Sequence, residues 1–169
     1  FINASGAEAF GGVSDIFVDG SGLGITNTGA IKNAGTFTFG GTLNNSGSIT
    51  GDGLIVFKRA GLGNDTFTNA GQIKTGSLEA DNIKYVQTAG SLSSASGWFS
   101  NSTVDLTGGT IERAVLGSGN TYNLGAGSGS NDAATFTVGT LDSSSVVNIN
   151  RGATLRTEHI AMDLSLIHI

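Results

Sequence analysis

One seven-residue phrase constrains this chain more than any other feature: apolar, any, Asn, any, Gly, any, apolar. It reads Ile25-Thr-Asn27-Thr-Gly29-Ala-Ile31, then Ile31-Lys-Asn33-Ala-Gly35-Thr-Phe37. It returns as Leu43-Asn-Asn45-Ser-Gly47-Ser-Ile49 and Phe67-Thr-Asn69-Ala-Gly71-Gln-Ile73, with the Gly positions 6, 12 and 24 residues apart. Self-similarity at a fixed period marks a solenoid, because one repeat cannot bury its own apolar side and must stack on its neighbours.

Beyond Ile73 the period settles near 19: Gly71, Gly90 and Gly109 keep that step, as do Ile73, Leu92 and Ile111. Asn69, Thr88 and Thr107 precede them, and Asn82, Asn101 and Asn120 step by the same 19. Period-2 alternation, as in Thr36-Phe37-Thr38-Phe39, marks strands. A coil of roughly 18–24 residues suits a parallel β-helix, with short strands stacked ~4.8 Å apart. The expected fold is therefore all-β, a single-stranded right-handed parallel β-helix. Apolar columns fill its core, and Asn columns bond amide to amide along the axis. Gly71, Gly90 and Gly109 are expected at corners that need positive φ, and Asn82, Asn101 and Asn120 on one shared corner. Proline, which would delete ladder bonds, is absent.

The strict 19-residue count has a fault. It sets Asp105 over Phe67 and Val86, aiming a carboxylate at the core, and burying an unpaired charge is costly. Val104 and Leu106 are instead expected to point inward, with a bulge restoring phase before Gly109. The same count puts Asp65 under Lys84. Residues 58–65 and the Gly/Ser-rich residues 125–131 read as loops, Asp15-Ile-Phe-Val-Asp19 as a short strand, and Gly53-Leu-Ile-Val-Phe57 as a strand buried on both faces or crossing a corner.

Composition removes several function classes. Net charge is −5 and no basic run exists, which excludes an electrostatic nucleic-acid footprint. Cysteine is absent, so there is no disulfide or thiolate metal site. No apolar run approaches the ~20 residues of a membrane-spanning helix. With 28 glycines and 12% charged residues the chain could pass for a linker, but 38% of it is hydrophobic and in register.

The Asn-x-Gly phrases and Val147-Asn-Ile-Asn-Arg-Gly-Ala-Thr-Leu155 resemble the β-helical passenger regions of bacterial autotransporters and haemagglutinin-like surface adhesins. The resemblance covers residues 25–155. It implies display outside the cell or on the bacterial surface and carries no catalytic residue. The last six residues, Leu164-Ser-Leu-Ile-His-Ile169, break the texture and resemble the translated mosaic-end adapter of transposon-made sequencing libraries. Residues 1–163 are thus read as one solenoid segment, cut at one or both ends, and 164–169 as an adapter-derived tail. Such a segment is expected to associate end to end or fray at its open terminal coils.

Candidate chemistry is sparse. Ala60-Gly-Leu-Gly63-Asn64-Asp65-Thr-Phe67 resembles the calcium-binding nonapeptide of repeats-in-toxin proteins, which makes Asn64 and Asp65 calcium candidates. Calcium takes six to eight oxygens, however, and one copy is present. Glu79 and Asp81, two apart, share one face of a strand at the spacing of a glycosidase pair or of a plain solvated face. Asp52, Asp142 and Glu158 show no partner. His159 lacks a nucleophile beside it, and Gly125-Ala-Gly127-Ser-Gly129 lacks the Lys or helix of a phosphate cradle. Trp98-Phe99 and Tyr85 suit either a sugar-stacking platform or core filling. The expectation is a non-catalytic stalk or adhesin with no cofactor and an extracellular ligand, a glycan or a host surface. The alternative is a carbohydrate-active β-helix: a polysaccharide lyase, a hydrolase or a phage tailspike.

Overall fold

The structure is a computed structural model, and it describes residues 2–3, 8–11, 16–58, 65–112, 115–116, 118–125, 134–142, 144–161 and 167–168. Among the described residues there is no helix, and nineteen strands join in one sheet wound into a solenoid. The central strands pair in parallel with the strands one coil below and above them. The chain visits three faces in turn. The first holds residues 25–27 and 43–45, then strands Thr66–Asn69, Lys84–Gln87, Thr103–Leu106, Thr121–Leu124 and Val146–Ile149. The second holds Ala30–Asn33, Ser48–Thr50, residues 72–75 and 91–94, and Gly109–Glu112. The third holds residues 36–40, Leu54–Lys58, and residues 77–81 and 96–100.

The alternation read in the sequence sorts side chains as the period of two requires. On the first face Ile25, Leu43, Phe67, Tyr85, Val104 and Tyr122 stack inward and are buried. On the second, Ile31, Ile49, Ile73, Leu92, Ile111 and Phe136 form a matching column. From the third face Phe57 reaches across the core. Its ring lies 4.7 Å from Phe67 and 6.0 Å from Tyr85, while Ala80 in the coil above leaves the space. Fully burying a side chain of this size contributes about 1.5–3 kcal/mol.

The phrase itself sits at corners. Asn27, Asn45 and Asn69 lie at the turn from the first face to the second, and Asn33 at the next turn of the same coil. The six-residue spacing is thus two corners of one coil, whereas Asn27 and Asn45 are one full coil of 18 apart. The glycines of the first corner stack backbone on backbone. A Cβ on Gly71 would meet the Gly47 carbonyl oxygen at 2.0 Å. Gly71 does not have positive φ, so close approach, not left-handed geometry, demands glycine there. One coil up, Gly90 adopts φ +65. Here the corner has one residue more: Gln87 stands over Asn69, with Thr88 and Ala89 before Gly90.

That extra residue corrects several sequence expectations. The phase change lies in the Gln87–Gly90 corner, not in a bulge before Gly109. The strand step from Phe67 to Tyr85 is 18, so Asn69 stacks under Gln87 and not under Thr88. Asp105 does lie over Val86, but that column faces outward, while Val104 and Leu106 point inward. Lys84 stands over Thr66, so Asp65 is one position out of line with it. Lys84 Nζ instead meets Asp105 Oδ2 at 3.0 Å in the coil above. Leu54–Lys58 buries one face only, with Ile55 and Phe57 inward and Leu54 and Val56 half-buried. The strand begun at Ile16 runs on to Asn27, with a register shift between Gly20 and Ile25. Of the expected loops 58–65 and 125–131, residues 59–64 and 126–131 lie outside the described residues, while Lys58 ends the strand Leu54–Lys58 and pairs with Gly40 and Asp81. Ile167–His168, set apart by composition, pairs in parallel with Val147–Asn148.

Candidate functional site

Three groups of polar side chains carry potential function. The first is internal. Asn27 Nδ2 donates to Asn45 Oδ1 at 2.6 Å, Asn45 Nδ2 to Asn69 Oδ1 at 2.7 Å, and Asn69 Nδ2 to Gln87 Oε1 at 2.9 Å. Tyr85 Oη also donates to Gln87 Oε1, at 2.6 Å, and Gln87 Nε2 turns aside to the Ala89 carbonyl. Asn69 Oδ1 accepts from the Gly71 amide at 3.2 Å, so each amide serves both ladder and corner. Burial pushes the Tyr85 phenol well above its ordinary value, with Asn69 partly offsetting the rise. Desolvation disfavours the phenolate, so Tyr85 remains a donor. The extra methylene of Gln87 keeps the amide in line where the corner lengthens.

The ladder expected from the 19-residue count is partly elsewhere. Asn82 and Asn101 do share an exposed corner, with φ 54 and φ 49. Asn120 does not join them, because the step from Thr103 to Thr121 is 18. Gly119 takes the place over Asn101, with φ +74. Asn120 falls in the next column, buried, with Oδ1 accepting from the Ser102 amide at 3.0 Å and Nδ2 donating to the Phe99 carbonyl at 2.7 Å. Gly71, Gly90 and Gly109 lie one above another.

The second group is on the third face. Trp98 is 43% exposed, whereas Phe99 and Tyr85 are fully buried, so of these three only Trp98 offers a platform. Glu79 lies one coil below Trp98. Asp81 is held by Ser100 Oγ at 2.6 Å and Asn101 Nδ2 at 3.1 Å. Glu79 and Asp81 share the outer face, but Asp81 is committed to these two donors.

The third group was not visible as a motif. Where the second face turns into the third, a notch of about 310 Å³ is lined by Asp52, Lys74, Ser93, Ser94, Ala95 and Glu112, with Gly51, Thr75 and Gly76 completing it. The register explains it. Thr50, Lys74, Ser93 and Glu112 form one outward column, so small Ser93 leaves a step between two long side chains. Lys74 and Glu112, two coils apart, have backbones ~10 Å apart, and Asp52 lies a further coil below Lys74. Among the described residues the Asp52, Lys74 and Glu112 side chains pair with nothing. Ser94 is 4% exposed and its Oγ has no partner. The 19-residue spacing of Lys74, Ser93 and Glu112 was the available signal.

The other candidates stay apart. Asn64 lies outside the described residues. Of the calcium-like stretch 60–67 only Asp65, Thr66 and Phe67 are described. Among the described residues no three His, Cys, Asp or Glu side chains converge as a metal group. Glu158 is exposed on the strand Thr154–Ala161, which also carries His159, and Asp142 ends the strand Ala134–Asp142. No helix among the described residues is long and apolar enough to cross a membrane. No protein-family model, no curated protein and no solved structure matches the chain.

Proposed function

We propose that this chain is a non-catalytic structural and adhesive segment of a secreted or surface-displayed bacterial β-solenoid protein, akin to an autotransporter passenger. It acts as a stiff rod that holds a binding surface away from the cell. The observation that carries this reading is the buried amide ladder from Asn27 to Gln87, which commits interior polar groups to axial bonding. Such networks rigidify and specify a structure when every member is satisfied.

The notch gives the carbohydrate-active alternative its one specific support, since it gathers two carboxylates and a lysine. Its geometry favours binding over hydrolysis. Asp52 and Glu112 stand three coils apart, ~14 Å in backbone height, whereas paired glycosidase carboxylates stand about 5–9.5 Å apart. The test is prolonged incubation with trypsin and, separately, with a panel of neutral and uronic-acid polysaccharides. The rod reading expects the central coils to survive proteolysis, with no new reducing ends or unsaturated uronates. Turnover of any polysaccharide, lost on Glu112→Gln, would overturn it.

A further inference from the structure

The notch and Trp98 lie on the same two paired strands. Along Gln72–Asp81 come Lys74, Thr75, Gly76, Ser77 and Glu79, and along Ser91–Ser100 their partners Ser93, Ser94, Ser96 and Trp98. Between notch and indole the surface is all hydroxyl and backbone: Ser96 Oγ lies 3.2 Å from Ser77 Oγ and 3.4 Å from the Gly76 carbonyl. We propose that this strip binds a neutral oligosaccharide, with one sugar ring seated in the notch and another laid on the Trp98 indole. It rests on the adhesive reading above and gives it a ligand class and a place.

The chemistry of the strip selects the occupant. The notch is lined by hydroxyls, backbone groups, Ala95 and three charged side chains that pair with nothing among the described residues, so its occupant must offer hydrogen-bonding groups together with apolar surface. The unpaired Ser94 Oγ adds an unused polar atom in the wall. Trp98, at the other end, offers an apolar face with a polar edge. A pyranose combines both needs, with hydroxyls at its rim and C–H groups on its face. An acidic polymer is disfavoured, because Asp52, Glu79, Asp81 and Glu112 outnumber Lys58 and Lys74 along the strip. A peptide adding as a strand is excluded, because Gln72–Asp81 is paired below and above and presents no free edge.

Trp98 is the only tryptophan in the chain, so its fluorescence reports the strip directly. The experiment titrates the protein with cellohexaose, maltohexaose and laminarihexaose, with oligogalacturonate as the charged comparison. At least one neutral hexaose is expected to shift the emission saturably. Ala95→Lys, which fills the notch from an exposed corner, is expected to weaken that binding at least tenfold while leaving the circular dichroism unchanged. Three results would each overturn the proposal: no neutral hexaose binds, oligogalacturonate binds more tightly, or folded Ala95→Lys binds like the parent. Binding accompanied by new reducing ends would sink the non-catalytic reading and leave the strip standing.

Discussion

The first corner is built in two ways along one solenoid. In the N-terminal coils its inner column is Asn27, Asn45, Asn69 and Gln87. In the C-terminal coils the same column continues as Leu106, Leu124 and Ile149. The polar ladder there moves outside: Asn148 Nδ2 donates to Asn123 Oδ1 at 2.7 Å, and Asn123 Nδ2 to Asp105 Oδ1 at 2.7 Å, with Lys84 closing the far end. The change follows the corner that lengthens at Gln87. In a two-step Asn-x-Gly corner the amide reaches the Gly backbone, as Asn69 does at Gly71. With one residue more, the inner position holds either the longer amide of Gln87, which still reaches the Ala89 carbonyl, or an aliphatic residue such as Leu106, beside which Thr107 Oγ1 donates to the Gln87 carbonyl at 3.2 Å. Parallel stacking tolerates either solution as long as the amides of the column are paired.

Exchanging the two solutions should break each of them. Asn69→Leu would remove the acceptor of Asn45 Nδ2 and the bonds to Gln87 and the Ser91 carbonyl, and leave the Gly71 amide only the Asn45 carbonyl. A loss of about 3 kcal/mol is expected from denaturant unfolding, at roughly 1 kcal/mol per bond lost. Leu106→Asn would bury an amide above Gln87, whose own amide already points to Ala89, and should cost a similar amount, about 3 kcal/mol. If both variants unfold at the parent's midpoint, the inner amides and the inner aliphatic residues are interchangeable and neither is matched to its corner.

A smaller effect is expected where the amide ladder stops. Tyr85→Phe removes one donor to Gln87 Oε1 but leaves the one from Asn69, so about 1 kcal/mol should be lost near neutral pH. The pH dependence sharpens this. The folded Tyr85 phenol stays protonated above the ordinary tyrosine value near 10, while the unfolded chain ionises there. The folded state then binds more protons, so this contribution is intact below pH 10 and declines as pH rises beyond it. The phenylalanine variant should show a shallower alkaline decline than the parent. Equal slopes would mean that Tyr85 is not buried.

The outer ladder should matter least. Lys84 is 50% exposed and Asp105 21%, so screening by solvent limits their pair. Lys84→Ala should cost under about 1 kcal/mol. Asp105→Asn should be nearly neutral, because Asn123 retains an acceptor. A loss comparable to that of Asn69→Leu would place the outer column on a par with the inner one.

The interior was legible because a stacked coil repeats its chemistry. Asn27, Asn45 and Asn69 declare their corner by the glycine two residues on, and Ile31, Ile49 and Ile73 their column by the same register. Gln87 was not legible, since it is neither Asn nor two residues from a Gly. Asn120 misled because a count of 19 ran through a strand step of 18. The notch was least visible. Lys74 and Glu112 are single charges in the chain, and their meeting depends on Ser93 and Ala95 being small, which matters only once the coils are stacked.

The most direct test of the inner ladder is hydrogen exchange of the side-chain amides by 15N NMR, with exposed Asn82 as the internal reference. Asn45, Asn69 and Gln87 should exchange as slowly as the backbone amides of the central strands, reporting global unfolding. If their side-chain protons exchange as fast as those of Asn82, the amides are open to water and the ladder does not hold the coils together.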